Sequence, residues 1–284
     1  MGYVLTNICR FFEALVGSTG VHATISVGGI MFLGSPVTFS FGAYVMVILN
    51  KAGLPLPLSV MLAIFVVTLI GVFFSYAYTK LSNDSFAVLT LASIMAMDTL
   101  LKSWDSVTGG VLGISGIVRP PIISSLTGIA IAQGVIALVI LVIYYVVLKS
   151  HLGRSIRALK ENKIALISLG NSDRNIGIIV IIFSCILSGI EGILSIWRIQ
   201  YLDPSFGSIF ILLQALTIAI IAHKPKISWL ILSSLFVIIL PEIIRFMNFS
   251  SVVMGHMRVI IYSFFIILMI KNLSNKSILV NRSI

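Results

Sequence analysis

The chain is 284 residues long, 58% hydrophobic and 10% charged, with a formal net charge of +10 and a mean hydropathy of +1.14. A soluble domain carries about one quarter charged residues, so the composition excludes an ordinary soluble fold and indicates an all-α polytopic membrane protein with little aqueous mass. The positive charge does not indicate nucleic acid, because basic residues in a membrane protein chiefly fix its orientation.

Residues 1–20 carry Arg10 and Glu13 and lack a clean apolar stretch. No cleavable signal peptide is read there, and the segment is expected either to lie at the interface or to insert partly. Val21–Leu49 is apolar but interrupted by Gly28, Gly29, Gly34 and Pro36. It exceeds the ~20 residues of one straight span, so a broken or re-entrant helix is expected near residues 21–50, with a full span from Thr38. Such backbone is tolerated at membrane depth only where protein or a water-filled path covers it. Leu58–Tyr78, Phe86–Leu101, Gly128–Leu148, Ile176–Ile196, Ile209–Ala222, Ser228–Ile244 and Val259–Ile270 read as further spans. Together they make about eight transmembrane helices. The transmembrane domain is read as residues 21–271, with 272–284 as a cytoplasmic tail.

Two intervals are not membrane-like. Lys102–Thr127 is rich in Gly, Ser and Pro. Lys149–Arg174 is basic, and Arg154, Arg157, Lys160, Glu161 and Lys163 share the polar side of a short helix. Ile156, Leu159, Ile164 and Ile167 would form its apolar side. Arg157 and Glu161 are spaced to pair, Gly170 falls where a left-handed cap belongs, and Asp173 can cap the next helix. Placing this loop in the cytoplasm and alternating sides puts Lys80, Lys224, Lys226 and Lys271 with it. Lys51, Lys102, Arg119 and Arg198 fall opposite. That bias satisfies the positive-inside rule and makes the C-terminus cytoplasmic.

No catalytic residue is read. His22, His151, His223 and His256 have no metal-ligand spacing, and no Walker lysine, GxSxG or HExxH motif occurs. Gly109-Gly110 is not a phosphate loop. Cys9 and Cys185 lie far apart, and no disulfide is expected. Asp98 and Glu191 are the carboxylates at membrane depth, where ionisable groups by default suggest function. Asp98 is near the end of its span. Glu191 is two turns from Arg198 on one face, or it pairs with another helix. So sparse a polar inventory suits a conduit driven by another subunit, with the amphipathic helix seated in a groove of that subunit. An ion-coupled secondary carrier is the alternative, although no inverted repeat is visible. A membrane scaffold without transport is another.

The run Gly153-Arg154-Ser155-Ile156-Arg157-Ala158-Leu159-Lys160-Glu161-Asn162, continuing to Ala165 and Leu169-Gly170, resembles the coupling segment of the branched-chain amino acid ABC transporter permeases, M-type subunits in particular. Thr108-Gly109-Gly110 with Gly113-Ile114-Ser115-Gly116-Ile117 and Arg119-Pro120 is similar to that family's outer glycine-rich signature. Phe86–Ala92, Pro204-Ser205-Phe206 and Leu240-Pro241-Glu242 resemble other landmarks in the same order.

The resemblance implies a bacterial inner-membrane permease subunit that is not itself an enzyme and binds no cofactor. Its partners would be ABC ATPase subunits that use ATP, a sister permease, an extracytoplasmic substrate-binding protein and membrane lipid. It implies ATPase coupling through Gly153, Arg154, Arg157, Ala158, Glu161, Ala165 and Gly170, and a substrate path past Thr90, Gly109 and Gly110. The sequence departs from the family at Ala222–Lys226, where a glycine-rich turn is usual, at Met95 and Asp98, and at Glu191. These departures leave open urea or another small polar solute in place of a branched-chain amino acid.

Overall fold

The computed structural model describes residues 2–117, 119–120, 125–168, 170–245, 257–269 and 271. Its helices are α1 (Gly2–Val21), α2 (Ser35–Lys51), α3 (Leu56–Lys80), α4 (Asn83–Ser103), α5 (Asp105–Thr108), α6 (Leu126–Lys149), α7 (His151–Glu161), α8 (Lys163–Ser168), α9 (Asp173–Ile199), α10 (Ile209–Ile221) and α11 (Ile227–Arg245). A further apolar helix, α12, covers Met257–Met269. Among the described residues the β-type pairing is one antiparallel bridge, Ile114 with Leu202. The expected all-helical architecture is therefore present.

Helix α9 is the hub, packed most closely on α1, α2 and α3. In its most apolar stretch 67% of residues are buried, against 22–28% in α3, α4 and α6. Those three helices turn large apolar side chains outward, such as Met61, Phe65, Val88 and Ile131. In water this would be an error; against acyl chains or apolar partners it is the natural surface. Small residues set the distance between hub and neighbours. A Cβ on Gly42 would run into the Gly189 backbone, its Cα at 2.8 Å, so these helices touch main chain to main chain as membrane helices do at small-residue faces.

Among the described residues, five segments are long and apolar enough to cross a membrane: α3, α4, α6, α9 and Pro204–Ile221. The last explains why Ile209–Ala222 looks short in sequence. A 3-10 turn, Pro204–Gly207, with Asp203 capping the Ser205 N–H, leads into α10.

The break near residues 21–50 is present. α1 runs into a π-helical turn, His22–Val27. The chain then leaves the helix at Gly28, with Gly29 at φ +68°, and α2 starts with Pro36 in its first turn. Some of the freed backbone groups bond within the break, as the Ile30 N–H does to the Thr24 carbonyl, and others are satisfied from α4. Asn83 Oδ1 accepts from the Met31 N–H (3.1 Å), Asn83 Nδ2 donates to the Gly29 carbonyl (3.4 Å), and Thr90 Oγ1 accepts from the Leu33 N–H (3.2 Å). Protein thus covers the irregular backbone.

Residues 2–21 differ from a surface-lying segment. They form α1, and every residue from Glu13 to Val21 is buried, against α6 and α9. The charges that made the segment look interfacial are paired inside. Glu13 faces Arg198 on α9 (2.7 Å), and Arg10 meets Glu242 on α11 (2.8 Å).

Candidate coupling site

α7 leaves α6 through one serine. The Ser150 N–H bonds back to the Val146 carbonyl, closing α6. Its hydroxyl accepts from the Gly153 N–H (3.4 Å), opening α7. Gly153 has to be small here, because a Cβ would collide with the Val147 and Leu148 carbonyls.

The inner face of α7 buries Gly153, Ser155, Ile156 and Leu159. It rests on the helix break. Positions 28 and 29 lack side chains where a Cβ would come 3.4 Å from Ile156 Cγ2 and 3.0 Å from Lys160 Cγ. Lys160 Nζ donates to the Ser26 carbonyl of the π-turn (2.7 Å). The amphipathic helix is therefore bolted to the one irregular segment of the bundle core.

The outer face differs from the sequence expectation in three respects. First, the apolar side does not run from Ile156 to Ile167. Asn162 leaves the helix (φ −154°, ψ 89°), which re-phases α8, so Leu166 turns inward while Ile164 is 79% and Ile167 51% exposed. Second, Arg157 does not pair with Glu161. It turns back to donate to the Leu148 carbonyl (3.0 Å), while Arg154 and Glu161 stay exposed. Third, Ser172 rather than Asp173 caps α9. Asp173 instead binds Lys163 at 2.6 Å, and that hydrogen bond raises the Lys163 pKa above its ordinary value. Gly170 does adopt the left-handed conformation, φ +78°. Ala158 is half-buried on α7; the side chain of Ala165 lies outside the described residues. Under α7 and α8 opens a polar cleft of about 860 Å³, bordered by Gly28, Gly29, Asn83, Lys163, Asp173 and Arg174.

The opposite end is a tied cap. The Ile114–Leu202 bridge joins the glycine-rich segment to the α9–α10 loop by two bonds of 2.9 Å. Arg119 donates to the Trp197 and Arg198 carbonyls, Gln200 to Ile117, Tyr201 to Leu112 and Lys51 to Ser115. Gly109 and Gly110 are left-handed (φ +74° and +54°), as tight turns need. Thr90 is fully buried, holding the broken segment. Asp98 is paired with Lys102 at 2.6 Å on a partly exposed face.

Glu191 is buried, but it is not the partner of Arg198. Arg198 gives Nε and Nη2 to Glu13 at 2.7–3.1 Å, with Gln133 adding a further bond of 2.9 Å. The Glu191 carboxyl lies where a side chain on Gly17 would stand. His22, which spacing left without a role, clamps three segments. Its Nδ1 meets the Tyr144 hydroxyl at 2.6 Å, and its Nε2 meets the Ala222 and Lys224 carbonyls at 2.7 and 3.2 Å. Carbonyls only accept, so Nε2 carries the proton. Cys9 and Cys185 are free and buried. Among the described residues no His/Cys/Asp/Glu cluster could hold a metal ion.

Long apolar helices around a broken core helix, with an amphipathic helix at one end, define a multi-pass membrane protein. The chain belongs to the family described as branched-chain amino acid transport system / permease component, which matches residues 8–270. It is similar to the high-affinity branched-chain amino acid transport system permease protein LivM of Escherichia coli K12, 24% identical over 270 residues. The protein of the same name from Salmonella typhimurium LT2 is 25% identical over 270 residues. Each comparison covers 85% of this chain, and the chain spans 64% of the length of each relative.

Proposed function

We propose that the chain is one transmembrane half of an ATP-driven importer for branched-chain or related amino acids, coupled to a separate ATPase through α7 and α8. The observation that carries this reading is the seat of α7 on the helix break. A push on the outer face of α7 and α8 reaches Gly28, Gly29 and Ser26 directly, through Ile156 and Lys160. The outer face offers Arg154 and Glu161 for polar contacts and exposed Ile164 and Ile167 for an apolar groove, which is helix-in-groove recognition. Gly153, Arg157, Ala158, Ala165 and Gly170 shape this segment. ATP is bound and hydrolysed by the partner, and no cofactor is held here.

The tied cap, on this reading, faces outward and receives a substrate-binding protein. The substrate passes between this chain and a sister permease, close to Gly109 and Gly110, while Thr90, expected on that path, holds the broken segment from inside. The C-terminal tail, 272–284, is cytoplasmic on this topology and lies outside the described residues. Family membership and the LivM relatives support the substrate class.

The test is capture of the tagged chain in mild detergent with identification of bound subunits, alongside uptake in cells. Arg154→Glu, Arg157→Glu and Glu161→Arg, made singly, should leave insertion intact and lower both ATPase capture and uptake. Uptake that survives all three unchanged defeats the coupling assignment.

A further inference from the structure

At the foot of α6 and α11 lies a pocket of about 540 Å³ whose borders include Tyr145, Lys149, Arg154, Arg157, Lys226 and Ser228. Four cations face one small volume, and its border contains no carboxylate. Arg154 and Arg157 each spend one donor on a backbone carbonyl of the last turn of α6, which leaves most of both guanidinium forks for a ligand. Lys149 lies over the Tyr145 ring at 4.4 Å, and Lys224 lies over Trp229 nearby at 5.2 Å. Cations beside exposed aromatic rings, where apolar helices end, mark headgroup depth.

The pocket does not end in solvent on all sides. One turn above Tyr145 on α6 is Leu141, and one turn above Ile227 on α11 is Ile231. Both border an apolar groove of about 710 Å³ that continues along α6 past Leu138 to Leu15 of α1. A concentrated positive pocket at the foot of an apolar groove has the form of a phospholipid: phosphate below, acyl chain above.

We propose that this pocket binds the phosphate of an anionic phospholipid whose acyl chain occupies the α1–α6–α11 groove. The site depends on the chain lying in a bilayer; it shares Arg154 and Arg157 with the proposed coupling segment, while Lys149 and Lys226 lie outside that segment. Basic pockets between membrane helices recognise lipid headgroups by the same charge complementarity.

The experiment is native mass spectrometry of the full chain in mild detergent, titrated with phosphatidylglycerol, phosphatidylcholine of equal chain length, or inorganic phosphate. Phosphatidylglycerol should be retained in preference to phosphatidylcholine. Lys149→Ala with Lys226→Ala should weaken phosphatidylglycerol roughly ten- to thirtyfold, and Lys149→Arg with Lys226→Arg should restore it. Leu138→Trp, which fills the groove, should weaken it without touching a cation. Equal retention of the two lipids overturns the proposal, even if the alanine variant fails to fold. So does an alanine variant that folds and binds as before. Displacement by inorganic phosphate at equal concentration, with no effect of Leu138→Trp, would assign the pocket to a free anion. Loss of ATPase capture in the alanine variant with unchanged lipid binding would assign it to the protein partner.

Discussion

Glu13 and Arg198 bury opposite charges between α1 and the last turn of α9, with side chains 5% and 15% exposed. Breaking such a pair typically costs about 3–5 kcal/mol, because the survivor is left buried and uncompensated, whereas replacing both partners by apolar groups costs far less. Glu13→Gln or Arg198→Met should therefore lower the melting temperature in detergent sharply. The double variant should regain a large part of the loss, and strictly additive effects would show that the two groups do not act as a pair. Thr90 makes a different prediction. Its hydroxyl both accepts from Leu33 and donates within α4, so Thr90→Val should cost about 1–3 kcal/mol of stability. The apparent affinity for substrate in uptake should change little. A raised KM with unchanged melting would return Thr90 to the substrate path.

At the level of elements, α7 separates two tasks. Its outer face is free to hold a partner, and its inner face grips the break at Gly29 and Ser26. Lys160→Met removes the bond to the Ser26 carbonyl, and Gly29→Ala forces a Cβ into a left-handed position against Lys160. Both should leave ATPase capture intact while lowering uptake per ATP hydrolysed. Lost capture would mean that they unseat the helix altogether. Part of this element is legible in the sequence: the Ile156–Leu159 face and Gly170 stand where local rules put them, whereas the Ser150 cap emerges only with the structure. The division at Asn162 is not, because six further residues of compatible periodicity mask a break that depends on where Leu166 can be buried. The interior position of α1 is illegible for a related reason. Arg10 and Glu13 find their partners 232 and 185 residues away, and a local window sees only two charges.

Across the whole molecule, the two ends of the bundle carry different chemistry, and labelling can read which faces which compartment. Val111 on the glycine-rich cap is 72% exposed and Ile164 on α8 is 79% exposed. Both native cysteines are buried, so each position can be replaced by cysteine singly. A membrane-impermeant maleimide should label Val111→Cys in intact cells, and Ile164→Cys only after permeabilisation. The reverse pattern would invert the orientation and place α7 beyond reach of any cytoplasmic ATPase. The span pattern and loop charges carry this topology in the sequence. Which loops meet is a three-dimensional fact, shown by the Ile114–Leu202 pairing and the bonds around it.

That single rung of β-pairing bears on how the molecule can move. It fastens the α4–α6 connection to the α9–α10 connection, so the helices feeding them cannot spread at that end unless the rung opens. At the far end of α9, about 40 Å away for a helix of its length, α7 is seated by its buried face and the Lys160 bond on the helix break, so it moves with that break. A bundle clasped at one end and jointed at the other behaves as a pair of tongs. On the proposed function, a displacement of a few ångströms at α7 becomes a tilt about the clasp, and the width of a passage between this chain and a sister permease would follow that angle rather than the shift of any one side chain.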